Sequence, residues 1–365
     1  MNRLGCLLPG RFHLPARLLP APGNARRGPG IDLGHDGFGQ QVLQVREVER
    51  ALQPAGPGEA LVDLSVVIVN WNTRDLLCDC IRSVFDTVRD IAFEIIVVDN
   101  GSSDGSTAML REAFPDVRII ENRENRGFAA ANNQAFRIME GRYALLLNTD
   151  AVLTEGAVTE LYRFLESRSE AAMACGQLLN RDGSLQNSVA AFPTLLTLTA
   201  NMPLLEILFP RRFPSKRYRH TEPVKVDSGV GACLMVRRQA MDDAGLLDER
   251  YFFYFEETDW AYAMSRKGWK IFHVPAARIY HLQGQSVGTG IASRMSFYRS
   301  RYAFFRKWYG KPYYTVVCCI LFIRLAINAL LSTAGMLLTL GQHPDLRRKA
   351  DVYQELLAWH LRGLP

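Results

Sequence analysis

The sequence predicts an α/β protein: a mostly parallel, wound sheet with helices on both faces, followed by C-terminal membrane-associated helices. Two observations carry the sheet. Short apolar runs alternate with segments of helical periodicity from about residue 61 onward, and strict alternation of strand and helix means parallel strands joined by right-handed crossovers. Each run also ends in polar turn residues, as a buried strand does. A third observation, the strongly apolar stretch over 313–340 behind a basic aromatic segment, separates a tail from the domain. The chain therefore divides into a Pro/Gly/Arg-rich extension over 1–60, an α/β domain over 61–300, and a basic, apolar helical tail over 301–365.

Residues 65–69 (Ser-Val-Val-Ile-Val) form the first strand, ending at Asn70, Trp71 and Asn72; residues 75–87 follow as a helix with Leu76, Leu77, Cys80, Ile81, Val84 and Phe85 at helical spacing. Residues 93–98 are the second strand, running into Asp99, Asn100 and the turn up to Ser106. A helix over 107–113, a short strand over 117–120, the loop 125–128 and a small-residue helix to Met139 come next. The strand over 143–147 then exposes Asn148 and Asp150 on the same side, since side chains two apart on a strand share a face. Taken alone, such an Asp equally caps a turn. Ligands of wound sheets bind outside the carboxyl ends of the strands, and here four strand ends carry Asn70, Asp99, Asn125 and Asp150, a polar rim suited to a nucleotide.

Four motifs in this order, residues 66–72 (Val-Val-Ile-Val-Asn-Trp-Asn), 97–104 (Val-Val-Asp-Asn-Gly-Ser-Ser-Asp), 125–128 (Asn-Arg-Gly-Phe) and 147–150 (Leu-Asn-Thr-Asp), resemble the inverting glycosyltransferases of family 2. The resemblance is strongest to the rhamnosyltransferase-like group that builds bacterial surface polysaccharides, and it spans about residues 63 to 310. It implies a GT-A fold, a nucleotide-sugar donor and a divalent metal, Mg2+ or Mn2+. It assigns Asn70, Asn72, Asp99, Asn100, Asn125, Gly127 and Asn148 to the donor and Asp150 to the metal. The family motif at the last position is Asp-x-Asp, so Asn148 departs from it and leaves Asp150 as the only carboxylate of the motif; an Asn oxygen still ligates a hard cation.

The second half carries the acceptor chemistry. Residues 227–236 form a glycine-containing bend entering a strand, where a backbone approaches a ligand closely or a bulge is formed. The aromatic residues 252–255 precede Glu256, Glu257 and Asp259 at the start of a helix reaching Lys267. Three acids there offset the helix dipole, but the aromatic run also desolvates them and raises their pKa, which suits a general base. The resemblance places the base at Glu257, where the family more often has Asp; Glu256 and Asp259 are the alternatives. Residues 270–274 read as a strand with His273 in the core, and His281, Gly284 and Ser286 resemble the family's metal- or diphosphate-contacting histidine motif, making His281 a metal ligand.

The tail begins with a basic aromatic helix over 300–309, of the type that lies in a membrane interface. The apolar stretch over 313–340 holds Arg324 and Asn328; a central Arg opposes insertion by about 2.5–3.5 kcal/mol, which favours a helix or helical hairpin in or on the cytoplasmic leaflet over a span, with a soluble docking helix as the alternative. A final amphipathic helix covers 344–361. The net charge of +6 is concentrated in two clusters, Arg211, Arg212, Lys216, Arg217 and Arg219, and Arg294, Arg299, Arg301, Arg306, Lys307 and Lys311. The second, just before the apolar stretch, points to an anionic membrane surface rather than nucleic acid. The seven cysteines make no zinc-ligand or disulfide framework.

The function expected is transfer of a sugar from a nucleotide sugar to a hydroxyl of a lipid-linked or oligosaccharide acceptor, on the cytoplasmic face of the inner membrane. The reading from a different class is a non-catalytic, membrane-associated nucleotide-sugar-binding scaffold, which Asn148 leaves open. A nucleotidyltransferase would need a Lys/Arg-rich phosphate loop after the first strand, and Asn70, Trp71 and Asn72 supply none.

Overall fold

The computed structural model describes residues 62–216, 220–282, 291–340 and 342–363. The expectations for residues 1–60, Arg217, Arg219, Gly284 and Ser286 fall outside these. The first half runs β1 (Leu64–Asn70), α1 (Arg74–Thr87), β2 (Phe93–Asp99), α2 (Ser106–Ala113), β3 (Arg118–Glu121), α3 (Phe128–Phe136), β4 (Tyr143–Leu147) and β5 (Ala151–Leu153). Then come α4 (Ala157–Glu166), β6 (Ala171–Leu179), β7 (Val189–Ala190), α5 (Leu195–Thr199), α6 (Met202–Leu208), β8 (Val224–Val226), β9 (Ser228–Gly229) and β10 (Cys233–Arg237). The chain continues through α7 (Arg238–Ala244), α8 (Glu256–Arg266), β11 (Lys270–His281), α9 (Ile291–Trp308), α10 (Lys311–Leu338) and α11 (Pro344–Leu361).

Nine strands form the main sheet in the order β3-β2-β1-β4-β10-β6-β11-β5, with β8 on the flank of β11; β7 and β9 pair separately. The expected wound sheet is β3, β2, β1 and β4, all parallel. The sheet then turns antiparallel at β10, which lies between β4 and β6. The apolar runs are continuous because both faces are covered. Leu64, Val66 and Ile68 enter one core with residues of α1, α2 and α4, while Val67 enters a second core with residues of α3, α7 and α8. Each such buried Val or Leu contributes about 1.5–3 kcal/mol.

β11 is longer than the strand expected over 270–274. Its register slips between Val274 and Arg278, around Pro275, a residue a central strand accommodates only at a bulge. Past the bulge it pairs antiparallel with β5, setting His281 opposite Ala151, and Leu282 N–H donates to Asp150 O at 2.9 Å. Strand pairing thus carries His281 to Asp150 across the chain.

The tail corrects one expectation. The basic aromatic helix packs inward: Tyr302, Phe304 and Phe305 of α9 are buried with Leu198 and with Val317 and Leu321 of α10. Lys307 bonds Asp248 at 2.8 Å and Asp259 at 2.5 Å, and Trp308 Nε1 donates to Asp259 at 2.6 Å, so α9 is riveted to α8. Its aromatic face is therefore spent on the domain, not offered to an interface. α10 is one continuous helix, long and apolar enough by length and composition to cross a membrane. Val317, Leu321, Leu325, Ala329 and Ser332 form its buried stripe, while Ile323, Ile327, Leu330, Leu331, Leu337 and Leu338 remain exposed. α11 returns along it, completing a helical hairpin.

The Lys307 ion pairs sit where both acids are mostly buried, and removing one partner leaves an uncompensated charge. Lys307→Met is expected to lower stability by about 3 kcal/mol in denaturant titrations and to expose α9 to limited proteolysis; a change within about 0.5 kcal/mol, typical of a surface substitution, would show that the pairs do not fasten the helix.

Candidate active site

The rim at the carboxyl ends of β1 and β2 is a closed hydrogen-bond network. Asn70 Nδ2 donates to Asp99 Oδ1 at 2.7 Å and to Ser102 Oγ at 3.1 Å, while Thr73 Oγ1 donates to Asn70 Oδ1 at 2.8 Å and lies 2.9 Å from Thr149 Oγ1. Asp99 Oδ2 accepts Ser102 N–H at 2.9 Å. Both oxygens of this buried carboxylate are engaged within the rim. Asn72, held at φ 54, accepts Ser103 N–H at 2.8 Å and gives its own N–H to Ser102 Oγ. Asn70, Asn72 and Asp99 thereby tie the first two strand ends into one rigid ledge.

Asn100 fixes the next loop. Its Nδ2 donates to Gly127 O at 3.2 Å and Asn125 Oδ1 at 3.3 Å, and Asn125 Oδ1 accepts Gly127 N–H. Gly127 is required here twice over: its φ is +84, and a Cβ would lie 2.7 Å from Phe252 O. Phe128 N–H then donates to that same carbonyl at 2.9 Å. The segment so gripped is strained, since Tyr254 and Phe255 both take positive φ, 71 and 74, at a cost of about 1–3 kcal/mol each. Between the rim and this segment opens a cleft of about 480 Å³. Asn100, Asn125, Gly127, Asn148 and Thr149 line one side and Phe252, Phe253 and Tyr254 the other, with Ser293, Ser296 and Arg299 of α9 completing the wall.

Asp150 follows Asn148 and Thr149 of the cleft wall and meets His281, which lines a second pocket with Asn180 and Gln186. His281 Nε2 lies 3.4 Å from Asp150 Oδ1, and that oxygen is buried with no hydrogen-bond partner. Gln186 sets the imidazole. Its Nε2 donates to His281 O at 2.6 Å and to Asn180 Oδ1 at 2.8 Å, so its Oε1 is the atom facing His281 Nδ1 at 3.0 Å. An amide oxygen only accepts, so Nδ1 carries a proton, and the neutral form of the ring presents the Nε2 lone pair toward the carboxylate. Two acceptor atoms facing each other in a buried place ask for a cation between them. Asp150 and His281 would supply one carboxylate and one imidazole to a divalent ion, and among the described residues no third His, Cys, Asp or Glu joins them. The buried Gln186 gave no sequence signal, being a lone amide 95 positions from His281. Asn148 joins them only through the chain: its N–H donates to Ala232 O, and its side chain borders the cleft.

The glutamates open α8. Glu256 is buried, and burial together with the charge of Glu257 pushes its pKa well above the usual carboxylate range. Burial also raises Glu257, but the N–H groups of Gly231, Thr258 and Glu257 itself restrain the rise by binding its carboxylate. One oxygen of each remains without a partner. Gly231 and Ala232 thus join the Asn148–Asp150 turn to Glu257 through two adjacent residues. Asp259 stands apart from these acids, its oxygens taken by Tyr251, Lys307 and Trp308, so it anchors α9 and faces no substrate.

Residues 65–245 match the family model described as glycosyl transferase family 2. An N-acetylglucosaminyl-diphospho-decaprenol L-rhamnosyltransferase of Mycobacterium tuberculosis is 30% identical over 227 residues, 58% of this chain and 73% of that protein. A low-salt glycan biosynthesis hexosyltransferase of Haloferax volcanii is 27% identical over 230 residues, 61% and 68% of the two chains. Among solved structures, a mannosyltransferase of Pyrobaculum calidifontis in complex with GDP-Man and Mn2+ superposes with a TM-score of 0.52 at 17% identity, covering 90% of this chain and 95% of that one. GalNAc-T7 with UDP, GalNAc and Mn2+ also gives 0.52, at 16% identity, over 84% and 59%. At these identities the two structures establish the fold, which is GT-A-like.

Two predictions follow from the geometry. Gln186→Leu frees the imidazole, and loss of a partner that orients a metal ligand costs about 10–100-fold in affinity; Mn2+ titration followed by electron paramagnetic resonance in the presence of a nucleoside diphosphate is expected to show that loss, and unchanged affinity would separate Gln186 from the metal. The second concerns pH. Glu256 has its pKa raised by folding, so its contribution to stability is present below the ordinary carboxylate value and is lost as pH rises toward the elevated one. Glu256→Gln is therefore expected to be more stable than the native chain at neutral pH, the gap closing toward pH of about 4.5; denaturant midpoints across pH that stay parallel would contradict it.

Proposed function

Because the chain belongs to glycosyltransferase family 2, we propose that it is an inverting, metal-dependent glycosyltransferase that moves a sugar from a nucleotide sugar to a hydroxyl of a lipid-linked saccharide in cell-surface polysaccharide synthesis. What supports this reading is the turn after β4: Asn148 and Thr149 line the cleft, Asp150 next in the chain faces His281, and Asn148 N–H bonds Ala232 O, whose neighbour Gly231 gives its N–H to Glu257. The relative from Mycobacterium tuberculosis is named for a diphospho-decaprenol acceptor, and the exposed face of α10 is compatible with work on such a lipid at the cytoplasmic leaflet.

Asp150 and His281 would hold the divalent cation, with Asn148 as a supplementary oxygen donor; when bound, the cation neutralises charge on the leaving nucleoside diphosphate. The donor lies against Asn100, Asn125, Gly127 and Phe128, on a ledge that Asn70, Asn72 and Asp99 keep rigid. Glu257 takes the proton from the acceptor hydroxyl as its oxygen forms the new bond to the anomeric carbon and the bond to the diphosphate breaks on the opposite face. The sugar inverts and no sugar-enzyme bond forms. The two adjacent carboxyl groups divide the roles: burial and the charge of Glu257 raise the pKa of Glu256 well above the ordinary range, whereas the N–H groups of Gly231, Thr258 and Glu257 restrain the rise of Glu257, which has one oxygen free to take a proton.

Glu257→Gln keeps the shape and removes the base, an effect of about 10²–10⁴-fold on turnover. Turnover is expected to fall in that range while nucleoside diphosphate binding persists; a dead Glu256→Gln beside an active Glu257→Gln would move the base by one residue. Asp150→Ala, or excess chelator, is expected to abolish transfer, and full activity under chelation would remove the metal from the reaction.

A further inference from the structure

Among the described residues, one guanidinium of the tail has no anion. Arg301 of α9 is largely shielded, its Nε is buried with no hydrogen-bond partner, and among the described residues it lies against the rings of Phe297 at 4.5 Å and Tyr298 at 5.7 Å. Two further arginines lie on the same packed helices: Arg294 stands seven residues before Arg301 on one face of α9, and Arg324 extends from α10, which packs on α9. Arg324 of α10 gives one N–H to Leu198 O at 2.9 Å, and Arg294 of α9 stacks over Tyr353 of α11 at 6.0 Å. The groups acting electrostatically on Tyr298 are Arg301, Tyr353, Arg324 and Arg294, and those acting on Arg301 are Tyr298, Arg324 and Tyr302. No carboxylate forms an ion pair with Arg294, Arg301 or Arg324 among the described residues, although acids are paired with Lys307 on the same helix. Like charges gathered without a counter-charge are unfavourable, and a buried cation left unpaired more so. Burial and Arg324 together weaken the hold of Arg301 on its proton.

We propose that Arg301, Arg324 and Arg294 form a binding site for a phosphate group carried on a lipid. Guanidinium groups match phosphate oxygens in pairs of hydrogen bonds, and the hydroxyl of Tyr298 adds a donor. The position fits an interfacial headgroup. Arg324 and Arg294 are exposed, and the apolar side chains of Ile323, Ile327, Leu330 and Leu331 are exposed on the same helix as Arg324, so acyl or polyprenyl chains would meet α10 where the phosphate meets the arginines. The aromatic side of α9 is packed away, so its contribution to membrane binding is charge. This site deepens the lipid-linked acceptor reading above and rests on it for the lipid's identity. A polyprenyl diphosphate and an anionic phospholipid offer the same phosphate chemistry.

The test is flotation of the full chain with three kinds of vesicle: phosphatidylcholine alone, phosphatidylcholine with phosphatidylglycerol, and phosphatidylcholine with a polyprenyl diphosphate. Each basic residue near an anionic surface is worth about fivefold in partition. The native chain is expected to prefer the phosphate-bearing vesicles, and Arg301→Met and Arg324→Gln each to lose about fivefold of that preference. Loss on both charged vesicle types would identify lipid phosphate in general, and loss confined to the polyprenyl diphosphate would identify the acceptor. Replacing an unpaired buried cation by an apolar chain of similar volume is neutral or stabilising, so Arg301→Met is expected to melt no lower than the native chain; should it fail to fold, Arg324→Gln, exposed and held by one backbone contact, decides alone. Both variants partitioning like the native chain onto all three vesicles would overturn the proposal. Donor turnover is read separately on the same samples: its loss with intact recruitment would sink the transferase reading alone, and lost recruitment preference with intact turnover would sink only the phosphate site.

Discussion

The hydrogen bond from Asn70 to Asp99 is the constraint on which the nucleotide-facing side depends. It joins the ends of β1 and β2 at the depth where the sheet stops, and everything beyond is referred to it. Ser102 hangs from Asp99, Asn72 from Ser102, and Thr149 is tied through Thr73 to Asn70. Asp99 is a buried carboxylate with both oxygens hydrogen-bonded within the rim, and a satisfied buried network of this kind is rigid.

Against that fixed side stands a strained one. Tyr254 and Phe255 adopt backbone conformations unfavourable to aromatic residues, and they are held there by Gly127 and Phe128 below and by Ser293, Ser296 and Ser300 of α9. The strain positions the start of α8, whose first residues are Glu256 and Glu257. The 125–128 loop and the segment that leads into α8 therefore share a hydrogen bond, Phe128 N–H to Phe252 O.

Much of this was legible in the sequence, and the physical reason separates what was from what was not. β1, β2 and β4 announce themselves because helices cover both faces and leave continuous apolar runs. β5, β7 and β9 are two or three residues long, too short for any period to register, and α5 and α6 leave Leu196, Leu204 and Leu208 exposed, blurring their amphipathic pattern. β11 was read as half its length because Pro275 marks a bulge that the strand survives. Asp150 and His281 stand in motif residues, Gly231 in the glycine bend and Arg299 in the basic cluster, whereas Gln186 arrives through tertiary folding from a segment with no chemical signature. Asp259 misled: an acid at a helix start in an aromatic setting looks the same in sequence whether it awaits a substrate or, as here, Lys307 and Trp308. The aromatic residues of α9 misled likewise, since interfacial and core helices draw on the same side chains.

The rivets between α9 and α8 also make the protein a gauge. α9 walls the cleft with one set of residues, joins α10 at its end, and is pinned to the helix of the base by Asp259. With α10 seated on a bilayer as proposed, the elevation of Glu257 above the lipid surface is a constant of the fold, not an adjustable quantity. With Glu257 as the base of the proposed reaction, an acceptor hydroxyl would be reached according to how high its saccharide lifts it above that surface. Chain length on a lipid carrier would thus be counted by the stiffness of a helix junction, with no pocket needed to recognise the sugars already laid down.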